Sequence, residues 1–201
     1  MTALLGVILA GGKASRMGGG DKSLLPLAGR RIIDHVLERL QLQVSDLALN
    51  ANGDPARFTE FGLPVVADSV SEFPGPLAGV LAGLDWAAEQ GADHILTVAA
   101  DTPFFPMDLR SRLEQERVLQ AMPIALAATQ GSGKLYRHPT FGLWPVSLRD
   151  DLRQALATGM RKVVLWTDQH GVAEALFSSD GYDPFFNINT PEDLVKAEAM
   201  K

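Results

Sequence analysis

Residues 4–10, LLGVILA, form an unbroken apolar run that leads directly into the glycine-rich stretch 11–22, GGKASRMGGGDK. An apolar run ended by glycines is typical of a strand that is buried on both faces of a parallel sheet. In open α/β sheets, ligands bind beyond the carboxyl ends of the strands, which is where this stretch begins. Glycines let the backbone approach a ligand closely, and successive N–H groups can form a concave site for phosphate oxygens. The stretch therefore predicts a phosphate-binding loop.

The charges within this stretch support that prediction. Lys13, Arg16 and Lys22 accompany a single acid, Asp21, although the whole chain carries a formal net charge of −6. The spacing fits neither the dinucleotide fingerprint nor the Walker A motif, so a surface turn with solvated charges is the alternative. A second glycine-rich stretch, residues 131–134, lacks the first glycine and the hydroxyl residue of a P-loop, and we expect a plain turn there.

The composition excludes several classes of function. The chain has 201 residues, 46% hydrophobic and 21% charged, which is ordinary for one soluble globular domain. It has no cysteine, which excludes disulfides, thiol catalysis and cysteine-ligated metals. The net negative charge argues against a broad nucleic-acid surface, and no apolar run is long enough to cross a membrane. We expect a cytoplasmic protein that binds neither nucleic acid nor membrane.

Strand and helix patterns alternate along the chain, which predicts an α/β fold with right-handed crossovers. The predicted strands are residues 4–10, 47–49, 63–67, 95–100 and 124–128, followed by a segment 140–146 that we place at an antiparallel edge. The predicted helices carry their apolar stripes in residues 33–40, 76–84 and 148–156, with further helices opened by Pro106 and Pro191. The expected fold is a single-domain, Rossmann-like three-layer sandwich over residues 1–201, with a mostly parallel sheet.

Polar side chains follow three of the predicted strands. Asp68 follows strand 63–67, Asp101 follows strand 95–100, and Asn50 ends the second strand. All three should lie at the edge of the sheet that carries the glycine-rich loop. A carboxylate beside a triphosphate requires an intervening cation, and magnesium uses few protein ligands together with phosphate oxygens and water. Helix caps and turn carboxylates are the alternative explanation for each residue alone.

With these features in place, the chain resembles the nucleotidyltransferases of the molybdenum cofactor pathway, and most closely the molybdenum cofactor guanylyltransferases (MobA family). The resemblance spans nearly the whole chain, in family order. The matching segments are residues 9–25, 50–52, 68–69, 75–79, 101–103, 138–140 and 187–194. The glycine-rich loop is shared by many nucleotidyltransferases and indicates only the superfamily, whereas segments 75–79 and 187–194 together point to the molybdenum cofactor guanylyltransferases within it. The resemblance implies a fold of the nucleotide-diphospho-sugar transferase type.

The resemblance also implies the reaction and the residues that bind the nucleotide. GMP from GTP would be joined to molybdenum–molybdopterin, giving the guanine dinucleotide cofactor and pyrophosphate, with Mg²⁺ as the cofactor. Lys22 would hold the phosphates and Asp101 the magnesium. Arg16 is added as a phosphate contact because of its charge and position, and completes the expected catalytic set. The expected nucleotide-binding residues are Leu9, Ala10, Gly11, Gly12, Lys22, Asn50, Asp68, Gly79 and Asp101.

The resemblance places the acceptor in the C-terminal half of the chain and the nucleotide in the N-terminal half. Asn187, Asn189 and His138 would face the pterin, since amides can offer paired donors and acceptors to a ring edge. Thr190, before Pro191, already suits the cap of the last helix. The delivery proteins of the pterin and of molybdoenzyme maturation are further expected partners, and we expect a monomer.

The expectation that GTP is the nucleotide substrate depends on Gly11 and on segment 75–79, which resemble the guanylyl branch of the family. Cytidylyl relatives tend to have alanine at the position of Gly11. We expect glycine at Gly11 and Gly79 to leave room for a purine. Two alternatives stay open at this point: a cytidylyl or sugar-phosphate nucleotidyltransferase, and a nucleotide-binding regulatory module without turnover.

Overall fold

The computed structural model describes residues 3–11, 21–70, 75–131 and 133–200, and is built around a seven-stranded sheet. The strands of the chain are β1 (Leu4–Leu9), β2 (Pro26–Leu27), β3 (Arg30–Arg31), β4 (Asp46–Asn50), β5 (Val65–Val66), β6 (His94–Ala99), β7 (Ile124–Gly131), β8 (Lys134–Pro145) and β9 (Val172–Phe177). In the sheet the order is β5-β4-β1-β6-β8-β7-β9, and β2 pairs with β3 in a separate ribbon. β8 runs antiparallel to β6 and β7, while the other neighbouring pairs of the sheet are parallel. The predicted mostly parallel α/β sheet is confirmed.

Helices cover both faces of the sheet. They are α1 (Ile32–Leu40), α2 (Pro76–Glu89), α3 (Leu109–Leu119), α4 (Arg149–Ala157), α5 (Val163–His170) and α6 (Pro191–Ala199). Alternate residues of β1 point to opposite faces, so Ile8 packs in one core with α1 and α3, and Val7 packs in the other with α2, α4 and α5. The three layers predicted from the sequence are therefore present. No helix in the described ranges is both long and apolar enough to span a membrane.

The register of the parallel strands brings their carboxyl ends to one edge. Leu9 at the end of β1 lies opposite Asn50 of β4 on one side and Ala99 of β6 on the other. Backbone hydrogen bonds continue past the strands, because Ala10 N–H donates to Asn50 O at 2.8 Å and Ala100 N–H donates to Leu9 O at 3.1 Å. The segments after β1, β4, β5 and β6 therefore start side by side, which is the arrangement that the sequence predicted for the site.

Two predictions about elements were wrong. The segment 140–146 is not an edge strand: it belongs to β8, which lies between β6 and β7 and extends back to Lys134. The buried half of β8 fixes this position, since Trp144 Nε1 donates to Thr97 Oγ1 of β6 at 2.8 Å. The helix expected at Pro106 begins only at Leu109, because residues 106–109 first form a turn in which the Leu109 N–H donates to Pro106 O at 3.2 Å.

Candidate active site

Lys22 is the centre of a polar cluster at the carboxyl edge of the sheet. Its Nζ lies 2.5 Å from Oδ2 of Asp101 and donates a hydrogen bond to Oδ1 of Asn189 at 2.7 Å. The side chains of Lys22 and Asp101 are only 12% and 20% exposed, so their attraction is less screened than that of a surface pair. The cluster therefore brings together two residues predicted to bind the nucleotide and one predicted to face the acceptor.

Local structure explains how these three residues meet. Lys22 opens a short 3-10 helix, Lys22–Leu24, and Asp101 lies in the turn directly after β6. The backbone N–H of Ile188 donates to Asp101 O at 3.0 Å, and the Ile188 side chain is fully buried in a third apolar cluster. Segment 187–189 is thereby fixed to the end of β6, with its two asparagines exposed on either side of the buried isoleucine.

The two asparagines are held differently. Thr102, which is fully buried, donates from Oγ1 to Oδ1 of Asn187 at 2.7 Å, whereas Asn189 accepts from Lys22. Thr190 accepts from the N–H of Asp193 and caps α6, as predicted. The backbone N–H of Asn189 and the Thr190 cap donate hydrogen bonds that lower the pKa of the Asp193 carboxyl. The capping carboxylate therefore orients the backbone of Asn189, while the side chain of Asn189 is directed to the lysine.

A second cluster lies at the ends of β4 and β5. Asn50 Nδ2 donates to Asp68 Oδ1 at 2.9 Å and to Val66 O at 3.2 Å. Asn52 clamps the same aspartate, because its Nδ2 donates to Asp68 Oδ2 at 2.7 Å and its Oδ1 accepts from Asp68 N–H at 2.9 Å. Asn52 was not predicted as a site residue, although its position two residues after Asn50 can be read from the sequence. The structure brings Asn50 and Asp68 together, as expected for residues predicted to bind one nucleoside.

Gly11 and Gly79 have different surroundings. Among the described residues, no atom lies within 4 Å of a side-chain carbon built on Gly11, which is exposed. A carbon built on Gly79 would lie 2.3 Å from Asn50 Oδ1 and 2.9 Å from Leu9 Cδ2. The space at Gly79 is thus filled by Asn50, so the idea that this glycine leaves room for a purine was wrong. Gly79 instead lets Asn50 pack against the first turn of α2, whereas Gly11 has no such neighbour among the described residues.

The remaining predicted residues divide into three groups. Leu9 and Ala10 lie at the end of β1 beside these clusters, as expected. Gly12 and Arg16 lie outside the described residues, and their roles stay predictions. His138 is placed in β8, where its ring stacks on Phe185 at 4.3 Å and its Nε2 lies 2.9 Å from Thr129 Oγ1.

Burial lowers the pKa of His138 and so favours the neutral ring, while the negative charge of Asp183 acts on the pKa in the opposite direction. Gly131 ends β7 opposite Lys134, which begins β8, and Gly133 between the two strands has a φ of +75°. The predicted plain turn is therefore confirmed.

The residues of the first cluster fit a magnesium ion only if a substrate supplies most of the ligands. Within the described ranges, no group of three or more histidine or acidic side chains could hold a metal. Asp101 contributes one carboxylate, whose Oδ2 contacts Lys22 and whose Oδ1 lies 3.3 Å from Thr102 Oγ1. Magnesium commonly combines one or two carboxylates with substrate phosphates and water, and Asp101 fits that pattern.

Comparison with known proteins agrees with this geometry. A sequence model described as the MobA-like NTP transferase domain matches residues 6–172. A protein of Rhodopseudomonas palustris named molybdenum cofactor guanylyltransferase is 53% identical over 197 residues, covering 96% of this chain and 92% of that protein. A protein of the same name from Mesorhizobium japonicum is 49% identical over 202 residues, covering 98% and 95%.

Solved structures support the fold. Molybdopterin-guanine dinucleotide biosynthesis protein A from Archaeoglobus fulgidus has a TM-score of 0.73 at 23% identity, covering 98% of this chain and 97% of that one. A 4-diphosphocytidyl-2C-methyl-D-erythritol synthase from Anaerococcus prevotii has a TM-score of 0.76 at 15% identity, covering 99% and 96%. The resemblance found in the sequence is confirmed. This chain belongs to the MobA-like NTP transferase family and is a nucleotidyltransferase, similar along its length to molybdenum cofactor guanylyltransferases.

Proposed function

We propose that the chain transfers GMP from GTP to molybdenum–molybdopterin, forming the molybdopterin guanine dinucleotide cofactor and pyrophosphate. The observation that carries the proposal is the contact of Lys22 with both Asp101 and Asn189, which brings residues predicted to bind the nucleotide against a residue predicted to contact the acceptor. The names of relatives near 50% identity favour guanylyl transfer over the cytidylyl and sugar-phosphate alternatives. A regulatory module without turnover would have no need of this cation and carboxylate at the strand ends.

In the proposed reaction, an oxygen of the acceptor's terminal phosphate attacks the α-phosphorus of GTP. The bond from the α-phosphorus to the bridging oxygen breaks on the opposite side, and pyrophosphate leaves with the electron pair. No covalent protein intermediate is needed, so the task of the chain is to align two polyanions and to neutralise their charge.

Each cluster has a role in that alignment. Lys22 would donate to the phosphates, and Asp101 would hold a Mg²⁺ ion that neutralises phosphate charge when bound. Asn50 and Asp68 would bind the guanosine, with Asn52 fixing both oxygens of Asp68. Gly11 would let the nucleotide lie against the end of β1. Asn187 and Asn189 would contact the acceptor, since neither Nδ2 group has a protein partner among the described residues.

The acceptor would be received from pterin-delivering proteins, and the product passed to proteins of molybdoenzyme maturation. The enzyme would act as a monomer in the cytoplasm.

The test is pyrophosphate release with GTP, CTP and ATP, each with one molybdopterin acceptor and magnesium, and with the nucleotide product identified by mass. We expect kcat/KM for GTP to exceed the other two by on the order of 100-fold, because a site built to hydrogen-bond the guanine edge rejects bases that lack it. Equal or better use of CTP would contradict guanylyl transfer while leaving nucleotidyl transfer intact. Release of no pyrophosphate from any nucleotide would contradict both.

A further inference from the structure

Arg57 lies between the two clusters of the site and contacts Asp21, which is next to Lys22, and Asn52 of the second cluster. It belongs to the short 3-10 helix Pro55–Phe61, and its Nε lies 2.5 Å from Oδ2 of Asp21, the residue before Lys22. This contact is an ion pair without the alignment of a hydrogen bond. The Nη2 of the same side chain donates to Asn52 O at 2.6 Å. One guanidinium group therefore spans from the lysine side of the site to the asparagine side.

The contact with Asn52 reaches the nucleoside cluster directly. Asn52 holds both the side chain and the backbone N–H of Asp68. Arg57 also donates from Nη1 to Asp54 O at 2.5 Å. It therefore binds two carbonyl groups, those of Asn52 and Asp54, in the turn that carries Asn52. Its guanidinium lies over the ring of Phe58, 4.8 Å from the centroid, and Phe58 is fully buried. The turn is thus fixed to the core as well as to Asp21.

We propose that Arg57 is a positioning residue that sets the distance between the phosphate-binding Lys22 and the nucleoside-binding Asp68. This inference rests on the proposed function. We call the series of contacts from Asp21 through Arg57 to Asn52 and Asp68 the brace. Because the contacts described here for all three guanidinium nitrogens are with protein groups, we assign Arg57 a role that acts through these neighbours.

An arginine suits this role better than a lysine. Its planar fork reaches one carboxylate and two carbonyl oxygens at once, whereas the single ammonium of lysine would leave part of that set without a donor. Arg57 also balances the charge of Asp21, which would otherwise stand as an anion next to the phosphate-binding lysine. Any cation at this position could neutralise Asp21, whereas the bracing role requires the arginine fork.

The brace predicts a distinctive pattern of ligand binding. A rigid spacing between two subsites favours a ligand that occupies both, because less ordering is needed on binding. Loss of the brace should therefore weaken GTP binding much more than the binding of guanosine or inorganic pyrophosphate alone. A defect confined to one subsite would weaken the matching fragment as strongly as it weakens GTP.

The experiment compares Arg57→Gln with a matched control, Arg110→Gln, in the full chain. Arg110 also contacts one carboxylate, that of Glu114, and a backbone carbonyl, that of Gln43, but it lies on α3. Dissociation constants for GTP are measured by calorimetry and those for guanosine and pyrophosphate by NMR titration. We expect Arg57→Gln to weaken GTP binding roughly tenfold, the scale of one lost charge-assisted contact, and each fragment by less than about threefold. Arg110→Gln should leave all three constants unchanged.

Arg57→Lys and Asp21→Asn complete the test, with thermal unfolding as the check that each variant folds. Arg57→Lys keeps the charge and should still lose most of the GTP affinity. Full recovery by lysine, or a fragment weakened as much as GTP, would overturn the brace. If the wild type prefers another nucleotide, the same series with that nucleotide and its nucleoside tests the brace, while the guanylyl proposal alone fails. If Asp21→Asn and Arg57→Gln weaken GTP binding additively, the path through Asp21 is wrong.

Discussion

Lys22 and Lys134 both follow a glycine-rich stretch, but they have different surroundings. Lys22 stands beyond a parallel strand, where Asp101 and Asn189 enclose its ammonium group. Lys134 starts the second strand of an antiparallel hairpin and is exposed. Similar local sequence therefore gives a polar cluster in one place and a turn in the other, because only the first stretch lies where several parallel strands end together.

Among the variants that test the difference between the surroundings of Lys22 and Lys134, we expect Asp101→Asn to have the largest effect on turnover. The amide is nearly the same size but carries no charge for a metal ion, so we expect turnover to fall by at least about 100-fold with the fold intact. A magnesium titration of the rate is the measurement, with thermal unfolding as the control. A variant that matches the wild type at every magnesium concentration would remove the metal role of Asp101.

Replacing the two lysines tests the contrast directly. Lys22→Ala should weaken GTP binding by about 10- to 100-fold, because a charge-assisted contact contributes roughly 1.5–3 kcal/mol. Lys134→Ala should leave GTP affinity unchanged, since an exposed hairpin lysine gains no such contact. Calorimetric titration with GTP measures both. Equal losses in the two variants would mean that bulk charge, not the position at the strand ends, attracts the nucleotide.

A pair of glycine replacements in α2 tests the position of Asn50. Gly79→Ala would place a carbon 2.3 Å from Asn50 Oδ1, so the amide must move, and we expect KM for GTP to rise on the order of fivefold, about 1 kcal/mol. The control is Gly83→Ala, one turn along the helix, whose new carbon would meet Val7 Cγ2 at 2.8 Å and Ile95 Cδ1 at 3.0 Å.

Gly83→Ala crowds the core without touching Asn50, so it should lower Tm and leave KM for GTP unchanged. Kinetics and thermal unfolding of both variants separate the two effects. If both variants changed only Tm, Asn50 would have no part in nucleotide binding.

The smallest effect is expected at Thr102. Thr102→Val keeps the shape but removes the donor to Asn187 Oδ1, which should lower the free energy of unfolding by about 0.5–1.5 kcal/mol, because Asn187 is exposed and water can replace the donor. We also expect KM for the acceptor to rise by about two- to fivefold, with KM for GTP unchanged. Thr102→Ser keeps the hydroxyl and should recover the acceptor KM. A rise in the GTP KM instead would place Asn187 on the nucleotide side.

Much of the fold was predictable because its strands carry strong local patterns. The buried strands β1, β6 and β7 are mainly apolar, and Pro76 and Pro191 mark helix starts. β9 and α5 were missed, although β9 carries the alternation of buried and more exposed residues that is typical of a strand. The central place of β8 was not predictable either, because it depends on pairing with β6 across the sheet and not on the sequence of β8 itself.

The site was predictable where polar residues directly follow strands, as at Asn50, Asp68 and Asp101. It was not predictable where contacts join distant parts of the chain, such as Lys22 with Asn189, which are 167 residues apart. Arg57 gave no signal because it sits in a polar segment without periodicity. The error at Gly79 arose because the sequence shows a missing side chain but not which neighbour fills the space.

The central claim is that Lys22 and Asp101 act as one unit on the phosphates of GTP, and a double-mutant cycle tests it most directly. The measurement is kcat/KM with GTP and saturating acceptor for wild type, Lys22→Ala, Asp101→Asn and the double variant. We predict that the double variant loses much less than the product of the two single losses, because groups in contact at one site couple by about 0.5–3 kcal/mol. Losses that multiply would contradict the claim, since they would mean that the two residues act independently.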